Sequence, residues 1–267
     1  MPEEKHSLNY SNLNRPTIFA HRGSSAYAPE STLAAFKLAI QQHADAIELD
    51  AKLSADGQVV VMHDETVDRT TDGSGWVNSL SLAELKRLDA GSKFSLTYQS
   101  EKIPTLAEVF EVIGNQIFIN VELKNISSPI DDLPDRVVSL VKQYRLENSV
   151  ILSSYNPIAL IRARFLLPKV PLGLITFRGL AKATLRSRMV RFGPLLALHP
   201  ASMDVTPELI HAAHQAKCRV HAYAVKQPDE MQRLFELGVD GIFTVDPPLA
   251  LKVLAEIEAE QSGANPG

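Results

Sequence analysis

Short apolar runs alternate along the chain with stretches of helical period. TIFA (17–20) precedes a helical pattern over 32–43, and DAIEL (45–49) and QVVVM (58–62) follow it. IFINVEL (117–123) precedes 134–145, SVILSS (149–154) precedes 157–166, and PLGLI (171–175) and LLAL (195–198) precede 206–217. RVHAYAV (219–225) precedes 228–238, and DGIFT (240–244) ends the series. Strands separated by helices imply parallel pairing, and this many in one chain predict an α/β fold, a closed but distorted (β/α)8 TIM barrel. Nine runs compete for eight places, and the weakest, 195–198, reads as a short extra strand. Only AKLSADG separates the second and third runs, too little for a crossover helix, so the alternation breaks there. The segment 64–104 carries the turn signals DGSG and DAGS around one helical pattern at 81–88, and reads as an insertion over the barrel mouth. The barrel is expected over 16–258, with an N-terminal extension over 1–15 and a flexible tail over 259–267. A doubly wound open sheet is the competing architecture, but neither GxGxxG nor GK[ST] occurs.

Composition narrows the function more than the fold. Hydrophobic residues make up 45% and charged residues 22% of the 267, ordinary globular usage. A net charge of −4 without a block of lysines and arginines leaves no footprint for nucleic acid. Cys218 is the single cysteine, which excludes an intrachain disulfide and a cysteine zinc site, and it reads as a small buried hydrophobe. The polar start MPEEKHSLNYSNLNRP and the absence of a long apolar run predict a cytoplasmic protein with no transmembrane segment. The sequence carries no signal for oligomeric state.

The candidate chemistry sits where the runs end. Glu48 and Asp50 are two apart on a strand and project to one side. Glu122 and Lys124 repeat that spacing at the end of IFINVEL, while His21 with Arg22, and His63, each follow an apolar run. In a parallel barrel such ends gather at one mouth, where active sites of this fold lie. Three carboxylates crowded there repel one another unless a cation sits among them, and oxygen-only ligands favour Mg²⁺, Ca²⁺ or Mn²⁺ over zinc. A divalent ion with Arg22 and Lys124 suits a phosphate, and two histidines can take one proton and give another. That combination points to metal-assisted phosphodiester cleavage.

The motifs AHRGSSAYAPESTLAAF, AIELDAKLSADGQVVVMHDETVDRTTDGSG, LAELKRLDAGSKF, NVELKN and LGVDGIFTVDPP occur in order across nearly the whole chain. In these the sequence resembles the glycerophosphodiester phosphodiesterases. The resemblance implies a barrel that hydrolyses diesters of glycerol 3-phosphate to an alcohol and glycerol 3-phosphate. It implies His21 and His63 as the catalytic pair and Glu48, Asp50 and Glu122 as ligands of one divalent cation. Arg22 and Lys124 would hold the phosphate, with Glu30, Asp64 and Tyr223 as supporting positions. Four positions depart from the family pattern: Ser31 replaces asparagine after the PE glutamate, Lys93 and Tyr223 stand where tryptophan is frequent, and Val245 follows Thr244 in place of aspartate or asparagine. Ser31 reads as a helix N-cap with Glu30 in the first turn.

Two further readings stay open. Lysophospholipase D activity on single-chain lipids is the near alternative, and an inactive phosphate-binding protein the more distant one. The stretch 176–191 carries Arg178, Lys182, Arg186, Arg188 and Arg191 without an acid. On one helix the first three would share a face, either a solvated basic face or a weak contact with anionic membranes.

Overall fold

A computed structural model describes residues 8–186 and 195–263. Its centre is a closed barrel of eight parallel strands: β1 (Thr17–His21), β2 (Ala46–Leu53), β4 (Phe118–Leu123), β5 (Val150–Ser154), β6 (Leu172–Ile175), β7 (Ala197–His199), β8 (Arg219–Val225) and β9 (Gly241–Thr244). β9 pairs back onto β1, closing the ring. Around it run α1 (Leu33–Gln41), α3 (Leu106–Ile113), α4 (Leu133–Gln143), α5 (Pro157–Leu166), α6 (Ala181–Arg186), α7 (Pro207–Gln215), α8 (Pro228–Glu236) and α9 (Pro247–Gln261). β3 (Val59–Val61) and α2 (Leu82–Leu85) belong to neither ring.

The extra strand is β3, and 197–199 is a full barrel member paired with β6 and β8, the reverse of the expectation from run strength. The turn after β2 decides this. Ser54 N–H donates to the Gln58 carbonyl, Gln58 N–H donates to Ser54 Oγ, and Gly57 adopts a φ of +74°, so the chain doubles back and β3 must pair antiparallel with β2. Loop length outweighs hydrophobicity here.

Period-two alternation sorts each strand between two cores. On β2, Ile47, Leu49 and Ala51 pack outward into the large cluster beneath the helices. Ala46 turns inward with Phe19, Phe118, Ile151 and Phe243, and buried Leu13, which follows a 3-10 turn at Tyr10–Asn12, joins them. The N-terminal stretch thus contributes to the barrel's interior packing. β3 and the segment after it share a small core of Val60, Met62, Val67, Val77, Leu85, Ala90 and Ile103. The helix expected at 81–88 is the single turn α2, started by a Ser81–Glu84 capping box, in which only Leu85 is buried. α9 reaches Gln261 and so runs past the expected boundary at 258, carried by the helix formers of AEIEAEQ.

One contact ties the excursion to the barrel. Lys52, 4% exposed and two residues past Asp50, reaches Glu65 at 2.6 Å. Removing the carboxylate leaves a buried ammonium unpaired, whereas removing the ammonium leaves a partly exposed acid. Glu65→Ala should therefore cost about 1–2 kcal/mol of unfolding free energy and Lys52→Met less, read by denaturant titration. The opposite order would contradict the tie.

Candidate active site

Register builds the site. His21 pairs with Glu48 across β1 and β2, and Glu48 and Asp50 pair with Asn120 and Glu122 across β2 and β4. Three neighbouring strands thus deliver two layers of polar side chains to one side of the mouth. His63 arrives by a different route from the one its run suggested. β2 overshoots the rim to Leu53, β3 descends antiparallel, and Met62 N–H donates to the Asp50 carbonyl at 2.9 Å. The descending strand sets His63 beside the carboxylates.

Glu48, Asp50 and Glu122 each present an oxygen within 4.8 Å of the other two. Glu48 and Asp50 are buried, and both Asp50 carboxylate oxygens are shielded from solvent with no hydrogen-bond partner. Their nearest cations are longer contacts: Lys124 Nζ at 3.5 Å and Arg22 Nε at 3.7 Å from Asp50, and Lys124 Nζ at 3.5 Å from Glu122. Burial, then the Asp50 charge, pushes the Glu48 carboxyl well above the usual carboxylate range and Glu122 up to about 7. For Asp50 burial acts upward as well, but Lys124, His63 and Arg22 outweigh it and hold the group low. Orphaned, crowded oxygen acceptors of this kind fit a hard divalent cation. No nitrogen or sulfur donor belongs to the cluster found among the described residues.

Arg22 occupies the left-handed region at φ 61°, and its N–H donates to both the carbonyl and Oε2 of Glu48 at 3.0 Å. Gly23 follows at φ +81°, where a Cβ would lie 2.7 Å from the carbonyl carbon of Ala35, so the HRG turn needs its glycine. Ser31 also sits left-handed at φ 59°, donating its N–H to the Arg22 carbonyl. The N-cap of α1 is Thr32, not Ser31, and Glu30 precedes the helix instead of opening it.

That displacement gives Glu30 another task. It accepts from Arg22 at 2.9 Å and from both terminal nitrogens of Arg69 at 2.7 and 2.8 Å. Arg69 also donates to Asp64 at 2.6 and 3.1 Å, and Asp64 lies 2.6 Å from His63 Nδ1. A chain of charges therefore runs from Arg22 through Glu30, Arg69 and Asp64 to His63. Because a carboxylate only accepts, the proton on this face of the ring is on Nδ1, which leaves Nε2 for the cleft. Burial, counteracted by Asp50 and Asp64, holds the His63 pKa below its usual value. Burial and then Arg22 push His21, whose Nε2 is 3.8 Å from Glu48, down to about 3.

The cleft measures about 190 Å³. His21, Arg22, Glu48, His63, Glu122, Lys124 and Tyr223 all line it, while Asp50 is buried behind them and Glu30 and Asp64 lie outside the lining. Tyr155 and His199 face it too, and with Arg69 they are the positions that sequence reasoning missed. Tyr223 donates its hydroxyl to the Thr176 carbonyl at 2.7 Å and meets Tyr155 edge-on at 6.2 Å between centroids. Lys93 bonds the Asp68 carbonyl, away from the cleft. Val245 lends its carbonyl to Ala26 N–H, and Asp246 caps α9 and accepts from Tyr27 at 3.0 Å. In the basic stretch, Arg178 precedes α6, so it does not share a helix face with Lys182; Arg188 and Arg191 lie outside the described residues.

Residues 21–249 match the profile of the glycerophosphoryl diester phosphodiesterase family. The chain belongs to that family. It is 39% identical over 239 residues to a glycerophosphodiester phosphodiesterase of Caldanaerobacter subterraneus, covering 89% of this chain and 97% of that one. Among solved structures it is similar to an Oleispira antarctica phosphodiesterase in complex with the product sn-glycerol-3-phosphate, with a TM-score of 0.84, 33% identity and coverage of 90% and 97%. A glycerophosphodiester phosphodiesterase of Agrobacterium tumefaciens superimposes with a TM-score of 0.77 at 28% identity, covering 88% of this chain and 99% of that one. The chain is thus a phosphodiesterase, and the cleft is its candidate site. The left-handed φ of Ser31 suits the asparagine that the family resemblance leads one to expect there, since asparagine tolerates that region best among ordinary residues.

The charge chain makes a pH prediction. Burial alone would raise Glu30, but Arg69 and then Arg22 hold it down to about 2 from an ordinary 4.5. A depressed folded pKa contributes stability that is complete above pH 4.5 and is lost as pH falls toward 2. Arg69→Met should flatten this acid limb in thermal melts between those limits. A limb as steep as in the wild type would show that Arg69 does not govern Glu30.

Proposed function

We propose that the chain hydrolyses glycerophosphodiesters to an alcohol and glycerol 3-phosphate, using a divalent cation held by Glu48, Asp50 and Glu122. One observation carries this reading: Glu48, Asp50 and Glu122 present oxygens close to one another, those of Asp50 without a hydrogen-bond partner, beside a cleft lined by two histidines and two cations. The bound product of the Oleispira antarctica relative supplies the substrate class. Mg²⁺, Ca²⁺ and Mn²⁺ all fit an oxygen donor set. When bound, the cation would act as a Lewis acid toward a phosphoryl oxygen.

The chain's own residues supply the remaining steps. Arg22 and Lys124 hold the phosphate and neutralise charge gathering on its oxygens. His21, kept neutral by burial, is suited to take the proton of the attacking hydroxyl, whether that belongs to water or to the substrate's own glycerol. His63 in its imidazolium form, which the Asp64 carboxylate behind Nδ1 favours, is suited to give its Nε2 proton to the departing alkoxide as its bond to phosphorus breaks.

A single-chain lysophospholipid is the competing substrate, and one feature favours it. Phe177 and Leu180, 51% and 50% exposed, stand on the loop after β6, and Phe177 packs on the cleft residue Tyr155 at 4.8 Å between centroids. These side chains offer an acyl chain an apolar surface at the cleft. Arg178 between them and Lys182 on α6 would add a weak attraction for anionic membranes.

Stripping with EDTA should abolish turnover of glycerophosphocholine, with recovery on adding Mg²⁺, Ca²⁺ or Mn²⁺. Full activity in metal-free protein would overturn the cation assignment. Alanine at His21 or His63 should cut kcat by roughly 10²–10⁴-fold without unfolding the protein, while Arg22→Ala should also raise KM. Near-wild-type kinetics in both histidine variants would remove the acid–base pair. A kcat/KM for lysophosphatidylcholine above that for glycerophosphocholine, lost in Phe177→Ser, would move the substrate to the lipid.

A further inference from the structure

At the end of the barrel opposite the cleft, β8 begins with a charged residue that points inward. Arg219 shares its strand face with His221 and Tyr223, and Tyr223 lines the cleft at the far end. Arg219 is only 7% exposed, and its Nε and Nη1 are shielded from solvent without a hydrogen-bond partner. Among the described residues no carboxylate forms an ion pair with it. Asp240, the acid of this region, is already committed: to His214 Nε2 at 2.6 Å, to Val220 N–H at 2.9 Å and to Arg15 at 3.4 Å.

A buried guanidinium without a counter-ion is costly, and proteins keep such groups paired. The space beside this one is open. A cavity of about 290 Å³ is lined by Arg15, His214, Lys217, Cys218, Arg219 and Asp240, so three permanent cations and a titratable imidazole face one carboxylate. Cys218 adds no charge, since burial pushes its thiol up to about 12. Burial and then the neighbouring Arg15 disfavour the charged form of Arg219, a penalty that a bound anion would offset.

We propose that this cavity is an anion site for a phosphate dianion, inorganic phosphate or the phosphate of a small monoester, held by Arg219 from inside the barrel and by Arg15 and Lys217 from its rim. A dianion matches the excess of cations over Asp240, and a guanidinium donates to phosphate oxygens through charge-assisted hydrogen bonds. The site lies at the N-terminal ends of the strands and shares no residue with the cleft. It is independent of the reaction proposed above.

The probe is inorganic phosphate, titrated calorimetrically into wild type, Arg219→Met and Lys217→Ala. Wild type should show a binding event separate from the one at the cleft. Arg219→Met should lose that event, and Lys217→Ala, a surface change that keeps the fold if Arg219→Met does not, should weaken it roughly tenfold. Turnover of glycerophosphocholine in phosphate-free buffer should be unchanged in both. Identical phosphate isotherms in wild type and Lys217→Ala would overturn the proposal. Glycerol 3-phosphate as a second probe distinguishes a monoester site from one that admits only the free ion.

Discussion

The mutual repulsion of three carboxylates is the constraint on which the rest of the cleft depends. β2 carries two of them on one face, and its pairing with β4 places the third alongside, so the backbone register itself forces them together. Burial then denies them water. The Arg22 guanidinium and the Lys124 ammonium moderate the charge but approach Asp50 no closer than 3.5 Å, which leaves its two oxygens without hydrogen bonds. An arrangement so unfavourable in isolation is maintained by the strong parallel pairing and outward packing of the same strands, and it reserves the space at its centre for positive charge.

Around that centre the chain accepts backbone strain. Arg22 and Ser31, neither of them glycine, both adopt the left-handed region, and they are joined by the hydrogen bond from Ser31 to the Arg22 carbonyl. Such conformations persist where surrounding contacts determine them more than local preference does. Here the contacts are the two bonds from Arg22 N–H to Glu48 and the ion pair with Glu30. Glu30 in turn meets Arg69, which reaches in from the segment after β3 and also holds Asp64 against His63. The excursion thus links the Arg22 and His63 sides of the cleft, and Lys52 with Glu65 anchors its first residues to β2.

Much of this was legible in the sequence because strands alternate strictly. Glu48 with Asp50, and Glu122 with Lys124, declare a shared face by spacing alone. The barrel was legible from alternating periods, and so was the break after AKLSADG. Run strength misled at 195–198, because a three-residue strand flanked by barrel neighbours needs little hydrophobicity of its own, whereas VVV at 59–61 is apolar and yet leaves the ring at a tight turn. Helix α3 was announced by the capping box of Thr105 and Glu108, a signal that a search for period alone passes over. Arg69, Tyr155 and His199 were not legible, since each gains its position from contacts made across loops or between distant strands. Arg219 sat unremarked in RVHAYAV because sequence does not reveal that a cation lacks its partner.

The most direct measurement of the central claim is equilibrium dialysis of metal-stripped protein against Mn²⁺, comparing wild type with Asp50→Asn. The account predicts a single tight ion per wild-type chain and its loss in the variant, whose fold, read by circular dichroism, is retained. Equal occupancy in the two proteins, or none in either, would contradict the claim that these carboxylates are arranged around a cation.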